Sequence, residues 1–161
     1  MNPRARQPVD SPDTPAAILL VSPYPDDQIM LPEILKHRNW QWHKSQGCCE
    51  ALEFLQSHSV TVLICERDQP DGCWQDLLDA AAKQASPPSL IVFSRLADES
   101  LWAEVLNLGG YDVLIKPFDR EEVVRVACSA WRSWKSRCTE LAASQAAIAA
   151  GGQPKKFVSA A

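Results

Sequence analysis

Four short apolar runs, separated by segments with helical spacing, constrain this chain more than any other feature. They are AAILLV (16–21), VTVLIC (60–65), SLIVF (89–93) and DVLI (112–115). Their apolar residues are consecutive rather than alternate, the pattern of a strand covered on both faces. A fifth run, WQWHK (40–44), is more polar and suits a sheet edge. Strands that alternate with helices pair in parallel, because a parallel neighbour needs a crossover long enough to hold a helix. The expectation is an α/β domain of five βα units, a doubly wound parallel sheet with helices on both faces.

The intervening segments carry matching helical signals. After the first run, Asp26 or Asp27 offers a cap, and Met30, Leu31, Ile34 and Leu35 form an apolar stripe. Pro32 falls inside that stripe, where it kinks the helix or marks its first turn. CCEALEFLQ (48–56) and CWQDLLDAAAKQ (73–84) read as compact helices, and ESLWAEVLNL (99–108) as another, stopped by Gly109-Gly110. Asp119 caps the last helix, whose opening DREE places acid where the helix dipole favours it. That helix meets no Pro or Gly before residue 151. Within it, positions 124, 127, 131, 134, 138, 141, 145 and 148 read V, A, W, W, C, L, Q and I. This 3–4 spacing of mainly apolar residues suits a partner helix, such as a second copy, or else a fraying Ala-rich extension. Residues 1–15, with four prolines, read as a disordered leader; 16–132 form the domain, 133–150 extend its last helix, and 151–161 are a flexible tail.

A net charge of −4 argues against a nucleic-acid surface. No apolar run reaches the ~20 residues needed to span a bilayer, and the N-terminus lacks a signal-peptide pattern. A cytoplasmic protein with no membrane partner is expected. Cys48, Cys49, Cys65, Cys73, Cys128 and Cys138 form no C-x-x-C pair, and His37, His43 and His58 are scattered. No metal site is expected from them, and the thiols read as small core residues.

In open parallel sheets functional groups gather at the carboxyl ends of the strands. Those ends here carry SPYPDD, ERDQPDG, SRLADE and KPFD. Glu66, Ser94 and Lys116 therefore converge on one mouth, where a carboxylate, a hydroxyl and an ammonium are expected to form a hydrogen-bonded, ion-paired cluster. SPYPDD has no Gly and two prolines that remove backbone donors, so it is poorly made to cradle a phosphate group. A small flavodoxin-like ligand binder is accordingly the weakest of the readings below. No nucleophile–base pair or hydrolytic triad is visible, so the chain does not read as an enzyme.

Across residues 16–132 the chain resembles the receiver domain of bacterial response regulators, the CheY-like superfamily phosphorylated on an aspartate. Lys116-Pro117-Phe118 matches the family's Lys-Pro pair, which the family joins by a cis peptide. Gly109 stands seven residues before that Lys, and Ser94 fifteen before Gly109, as in the family. Pro70 lies four residues after Glu66, the family's interval from phospho-acceptor to Pro. The resemblance implies a flavodoxin-like (βα)5 fold with strand order 2-1-3-4-5, Glu66 at the acceptor position and Ser94 as the switch hydroxyl. Asp71-Gly72 comes two residues early, implying a shortened loop.

The departures bear on chemistry. Where the family has an acidic pair for Mg²⁺, this chain has Ser22 and Pro23; the small residue after the switch hydroxyl is Arg95, and the aromatic switch position is Val113. Phosphoryl transfer depends on positioning and charge neutralisation, much of it from the metal. Ser22 offers only a neutral oxygen and Pro23 none, whereas magnesium wants one or two carboxylates. Glu66 is a methylene longer than Asp, and a displacement of roughly 1 Å can cost ~10²-fold in rate. Arg95 can enter the space a phosphoryl group needs. Magnesium binding and phosphorylation are expected to be lost. Asp26 and Asp27 can serve as replacement metal ligands instead of caps, and Asp68 as an alternative acceptor. Glu66 is then either a partial mimic of an acyl phosphate that locks one signalling state or half of an ordinary ion pair in a degenerate site.

The resulting expectation is a stand-alone, receiver-like adaptor of two-component phosphorelay signalling that works by protein–protein interaction. The alternative is an active, phospho-accepting regulator with an atypical site. Receivers engage partners through the fourth helix, fifth strand and fifth helix, which here carry Trp102, Val113, Trp131 and Trp134. Trp is enriched in binding hot spots, although each of these can equally be a core residue. The expected partner is a signalling kinase or effector, or a second copy through the last helix.

Overall fold

The computed structural model describes residues 15–150; the tail (151–161) and all but Pro15 of the leader lie outside them. Five strands, β1 (Ala17–Val21), β2 (Gln41–Ser45), β3 (Val62–Glu66), β6 (Ser89–Ser94) and β7 (Asp112–Ile115), form one sheet in the order β2-β1-β3-β6-β7. Every pairing in it is parallel. A two-residue hairpin, β4 (Asp68–Gln69) and β5 (Gly72–Cys73), follows β3. Leaving that hairpin aside, the sheet order is the expected 2-1-3-4-5.

Consecutive residues of each central strand enter opposite cores, as a period of two requires. Ile18, Leu20, Ile64, Ile91 and Phe93 face one side, packing on Leu31 of α1 (Pro25–Ile34) and Val123 and Val126 of α5 (Arg120–Ala149). Leu19, Leu63, Cys65, Leu90 and Val92 face the other side. There they meet Ala51 of α2 (Cys48–Ser57), Leu77 of α3 (Trp74–Ala82) and Val105 of α4 (Glu99–Asn107). This two-sided cover is why the runs read as continuously apolar. The more polar β2 lies at the sheet edge. Of the cysteines, Cys48, Cys65 and Cys128 are buried as small core residues, whereas Cys49 is exposed.

Helix α1 departs from expectation. It starts at Pro25 after the N-cap Tyr24, which makes no side-chain cap bond, so Asp26 and Asp27 fall in the first turn instead of capping. Proline suits that opening because its missing N–H has no intrahelical partner there. Pro32 lies in the helix interior and does not mark the first turn. Leu31, Ile34 and Leu35 are buried, but Met30 points away from the core.

Glycine is needed at both positions that end α4. Gly109 has φ +101°, a left-handed conformation that other residues adopt at a cost. At Gly110 a Cβ would lie 2.4 Å from Val105 Cγ1 and 2.9 Å from the Val105 carbonyl oxygen.

The early Asp71-Gly72 falls at the turn of the small hairpin, Asp71 in the turn and Gly72 opening β5, and it supports α2. The backbone N–H groups of Cys48 and Cys49 donate to the two Asp71 carboxylate oxygens at 2.8 and 3.0 Å. Those donors hold the Asp71 pKa below its ordinary value. A cap from elsewhere in the chain thus satisfies the helix start that Gly47 cannot. Gly47 is needed in turn, because a Cβ there would lie 2.8 Å from the Asp71 carboxylate.

α5 is continuous to Ala149, as its sequence predicts, but only its first half packs on the domain. Trp134 is buried and its indole N–H donates to the Ser86 carbonyl at 3.3 Å, whereas every residue from Thr139 to Ala149 is exposed. Truncating Leu77 to Ala should cost about 2–5 kcal/mol in urea unfolding, because Leu77 is wholly enclosed. Ending the chain after Cys138 should change stability by no more than about 0.5 kcal/mol, since the removed helix buries nothing among the described residues.

Candidate functional site

β3 ends on Glu66, and parallel pairing aligns that tip with the ends of β1 and β6, so three carboxyl ends open on one mouth. Lys116 directly follows β7 and is joined to Pro117 by a cis peptide, as the resemblance implies. Its ammonium turns back across the sheet edge. Nζ lies 2.7 Å from Glu66 Oε2 and 2.8 Å from Asp27 Oδ2, with the side chains of Lys116, Glu66 and Asp27 only 9%, 3% and 6% exposed. The Asp27 contact is an aligned hydrogen bond; the Glu66 contact is a charge contact off hydrogen-bond alignment. The Tyr24 and Phe93 rings flank the same ammonium, their centroids 4.6 and 5.0 Å from Nζ, within cation–π range.

Ser22 completes the group. Its hydroxyl accepts from the Tyr24 N–H at 3.1 Å and donates to Asp27 Oδ2 at 2.7 Å, the same oxygen that Lys116 uses. Asp27 therefore belongs to the site, contrary to its expected capping role. The residue type suits both roles; with α1 starting at Pro25, Asp27 falls inside the first turn and its carboxylate meets Ser22 and Lys116. Two glutamines that drew no attention in the sequence tie the strand tips together. Gln69 donates to the Glu66 carbonyl at 2.8 Å, and Gln28 to the carbonyls of Ser22 and Ser45 at 3.0 and 2.8 Å. An amide side chain in a loop or helix carries no sequence signal for such a task.

Ser94 departs from expectation. It is buried at the tip of β6, but its hydroxyl accepts from the Leu96 N–H at 3.1 Å and bonds neither Glu66 nor Lys116. Its link to Lys116 is through the backbone, where the Lys116 N–H donates to the Ser94 carbonyl at 3.0 Å. Arg95 is exposed at the rim, and Asp68 is exposed in the hairpin with its N–H facing Glu66 Oε1 at 3.5 Å.

The residues do not fit the magnesium that the resemblance brings to mind. Pro23 has no side-chain oxygen, the Ser22 hydroxyl is engaged, and the space between the carboxylates is filled by Lys116. Among the described residues no group of three or more His, Cys, Asp or Glu side chains is placed to hold a metal ion.

The tryptophans do not share one face. Trp102 on α4 is 51% exposed, and Leu108 at the end of that helix and Ile115 at the end of β7 are about as exposed. Val113 packs into the core beside α4. Trp131 lies on the α1–α5 side, its ring 6.3 Å from that of Trp40. Trp134 is buried, and its indole N–H donates to the carbonyl of Ser86 in the segment between α3 and β6.

Burial pushes the Glu66 pKa up, and Lys116 opposes this only in part. Burial also works against the Lys116 charge, but Asp27 and Glu66 outweigh it and raise the Lys116 pKa. An acid whose folded pKa is raised stabilises the fold below its unfolded pKa, and that contribution is lost as pH rises through the folded value. Glu66→Gln, which keeps the neutral shape, should therefore gain stability relative to the parent as pH rises above the ordinary glutamate pKa. Lys116→Met should lose about 3–5 kcal/mol at neutral pH by stranding two buried carboxylates. Urea titrations of the three proteins across pH check both outcomes.

No protein-family model matches the chain, and no curated protein matches it. Solved structures do. The signal receiver domain of a putative LuxO repressor protein from Vibrio parahaemolyticus superposes with TM-score 0.72 at 18% identity, covering 78% of this chain and 96% of that one. The signal receiver domain of an HD domain-containing protein from Pseudomonas fluorescens Pf-5 gives 0.68 at 25% identity, covering 76% and 98%. The chemotaxis response regulator CheY4 of Vibrio cholerae gives 0.65 at 18%, covering 73% and 99%. With its sheet order, its Lys-Pro cis peptide and its acidic residue at the tip of β3, this chain has the fold of a response regulator receiver domain.

Proposed function

We propose that the chain is a receiver-like signalling adaptor of two-component pathways, one that works by protein–protein contact and takes no phosphoryl group. The observation that carries this reading is the position of Lys116 Nζ, 2.7 Å from Glu66 and 2.8 Å from Asp27. A phosphoryl group on Glu66 would need that ammonium and a metal beside it, yet the ammonium is shared with a second carboxylate and the Ser94 hydroxyl is engaged by the Leu96 N–H. Glu66 thus stands as a buried carboxyl group held against Lys116 at the acceptor position, which suits a domain held in one signalling state.

Binding then falls to the surface. Trp102, Leu108 and Ile115 offer exposed apolar anchors on and beside α4, with Leu96 at the adjoining rim. A large aromatic of this kind supplies most of its contact energy when a partner encloses it. The exposed end of α5, with Leu141 and Ile148, offers a second surface suited to a helix of a partner or of another copy. A cytoplasmic kinase or effector fits the first surface best; no helix among the described residues is long and apolar enough to cross a membrane.

Incubation with acetyl phosphate and Mg²⁺ tests the closed site. No phosphoryl adduct is expected in the intact mass, and beryllofluoride should leave the amide resonances of Glu66, Ser94 and Lys116 in place. An adduct on Glu66, or beryllofluoride shifts confined to those residues, overturns the reading.

A further inference from the structure

Two cysteines meet where the small hairpin crosses the head of α2, away from the Lys116 cluster. Cys48 opens α2 and is buried; Cys73 closes the hairpin, forms the N-cap of α3 and is partly exposed. They stand 25 residues apart in sequence, yet Cys48 Sγ lies 3.5 Å from the Cys73 carbonyl oxygen. Gly72 allows this approach, since a Cβ there would lie 2.9 Å from Cys48 Cβ and 3.2 Å from Cys48 Sγ. Asp71 holds it in place by accepting from the Cys48 and Cys49 N–H groups. The hairpin therefore lies directly on the Cys48 side chain.

We infer that Cys48 and Cys73 are a reversible redox pair, an intramolecular disulfide site that joins the head of α2 to the head of α3 when a small-molecule disulfide oxidises the chain. The pair works in the same way whether or not Glu66 takes a phosphoryl group, so it lies beyond the adaptor role proposed above. Exposure sets the order of events. Cys73 is the member that a soluble oxidant reaches, and its Sγ–H donates to Asp76 Oδ2 at 3.2 Å. Its thiolate attacks the small disulfide, forming a mixed disulfide and releasing one thiol that carries off the Cys73 proton. The Cys48 thiolate then attacks the Cys73 sulfur. The protein disulfide forms, and the second small thiol leaves with the Cys48 proton. Two protein thiols thus lose two electrons, and one small disulfide is reduced to two thiols.

Burial, with Asp71 and Asp76 adding to it, pushes the Cys48 thiol up to about 12. A thiol so rarely ionised is inert towards soluble oxidants and acts on a sulfur delivered beside it. Forming the bond requires the Cys73 side chain to leave Asp76 and turn to the Cys48 side of its own backbone. The other nearby thiols are placed for neither step. Cys65 is wholly enclosed in β3, and the exposed Cys49 directs its Sγ to the Asp71 carbonyl at 4.0 Å. In reducing surroundings such a bond is transient, which suits sensing and not permanent bracing.

The probe is glutathione disulfide, added to the reduced full chain. Alkylation should then count two thiols fewer, and peptide mapping should place the bond between Cys48 and Cys73 at least about tenfold over every other pairing. Cys73→Ser, which keeps a capping oxygen for α3, and Cys48→Ala should each abolish the bond, and Cys49→Ser should leave it unchanged. In C48A the glutathione adduct on Cys73 should accumulate, because the thiol that displaces it is gone. A bond that maps to Cys49 or Cys65, a bond to Cys73 that survives Cys48→Ala, or a parent in which the Cys73 adduct persists overturns the inference. So does a Cys48–Cys73 bond that forms no faster in the native chain than in the urea-unfolded one. Should C48A fail to fold, C73S and C49S, both changed at positions open to solvent, still decide the outcome.

Discussion

One ammonium set between two buried carboxylates governs the mouth of this domain. Charges removed from water are stabilised only by close partners, and here Lys116 is the partner of both Glu66 and Asp27. It joins the end of β7 to the tip of β3 and the start of α1, and Ser22 extends the group to the end of β1. One positive group faces two acids, and burial raises the Glu66 pKa against the pull of Lys116. An ion cluster of this kind contributes more to fixing geometry than to net stability. Its consequence is a strand-tip region in which the ends of β1, β3 and β7 and the start of α1 are tied to one another.

The segment that follows Glu66 serves this arrangement from outside. Glu66 does not project from the strand end; it turns inward, and the chain reverses at once in a hairpin of two-residue strands. The early Asp71-Gly72 becomes intelligible at that point. Asp71 reaches the bare N–H groups at the head of α2, and Gly72 sits so close to Cys48 that a Cβ would lie 2.9 Å from the Cys48 Cβ. The shortened loop thus couples the Glu66 tip to the α2 start, while Gln69 fastens the hairpin to the Glu66 carbonyl.

The surfaces follow the same division between packed and free. The apolar spacing of α5 has two fates along one helix: Ala127 and Trp134 are consumed by the domain, whereas Leu141 and Ile148 are exposed beyond it. A single 3–4 pattern therefore describes a core contact in its first half and an unpaired face in its second. On α4, Leu101 and Val105 take the inner face and leave Trp102 outward.

Much of the fold was legible in the sequence because two-sided burial leaves a direct mark: the middles of β1, β3 and β6 had to be apolar at consecutive positions, and β2 at the edge did not. The stop at Gly109-Gly110, the Asp119 cap and the continuity of α5 were legible for similarly local reasons. Glu66 and Lys116 could be placed at one mouth from their positions at strand ends. Their third partner could not, because Asp27 is equally good as a helix cap or as a buried counter-ion, and the start of α1 at Pro25 decided between them. The tertiary structure alone turned Ser94 towards Leu96, buried Trp134 and gave Gln28 and Gln69 their carbonyl partners. Strand and helix signals are written in neighbouring residues, where periodicity exposes them. The direction of a polar side chain is settled by which distant group can satisfy it, and only the packed chain brings that group within reach.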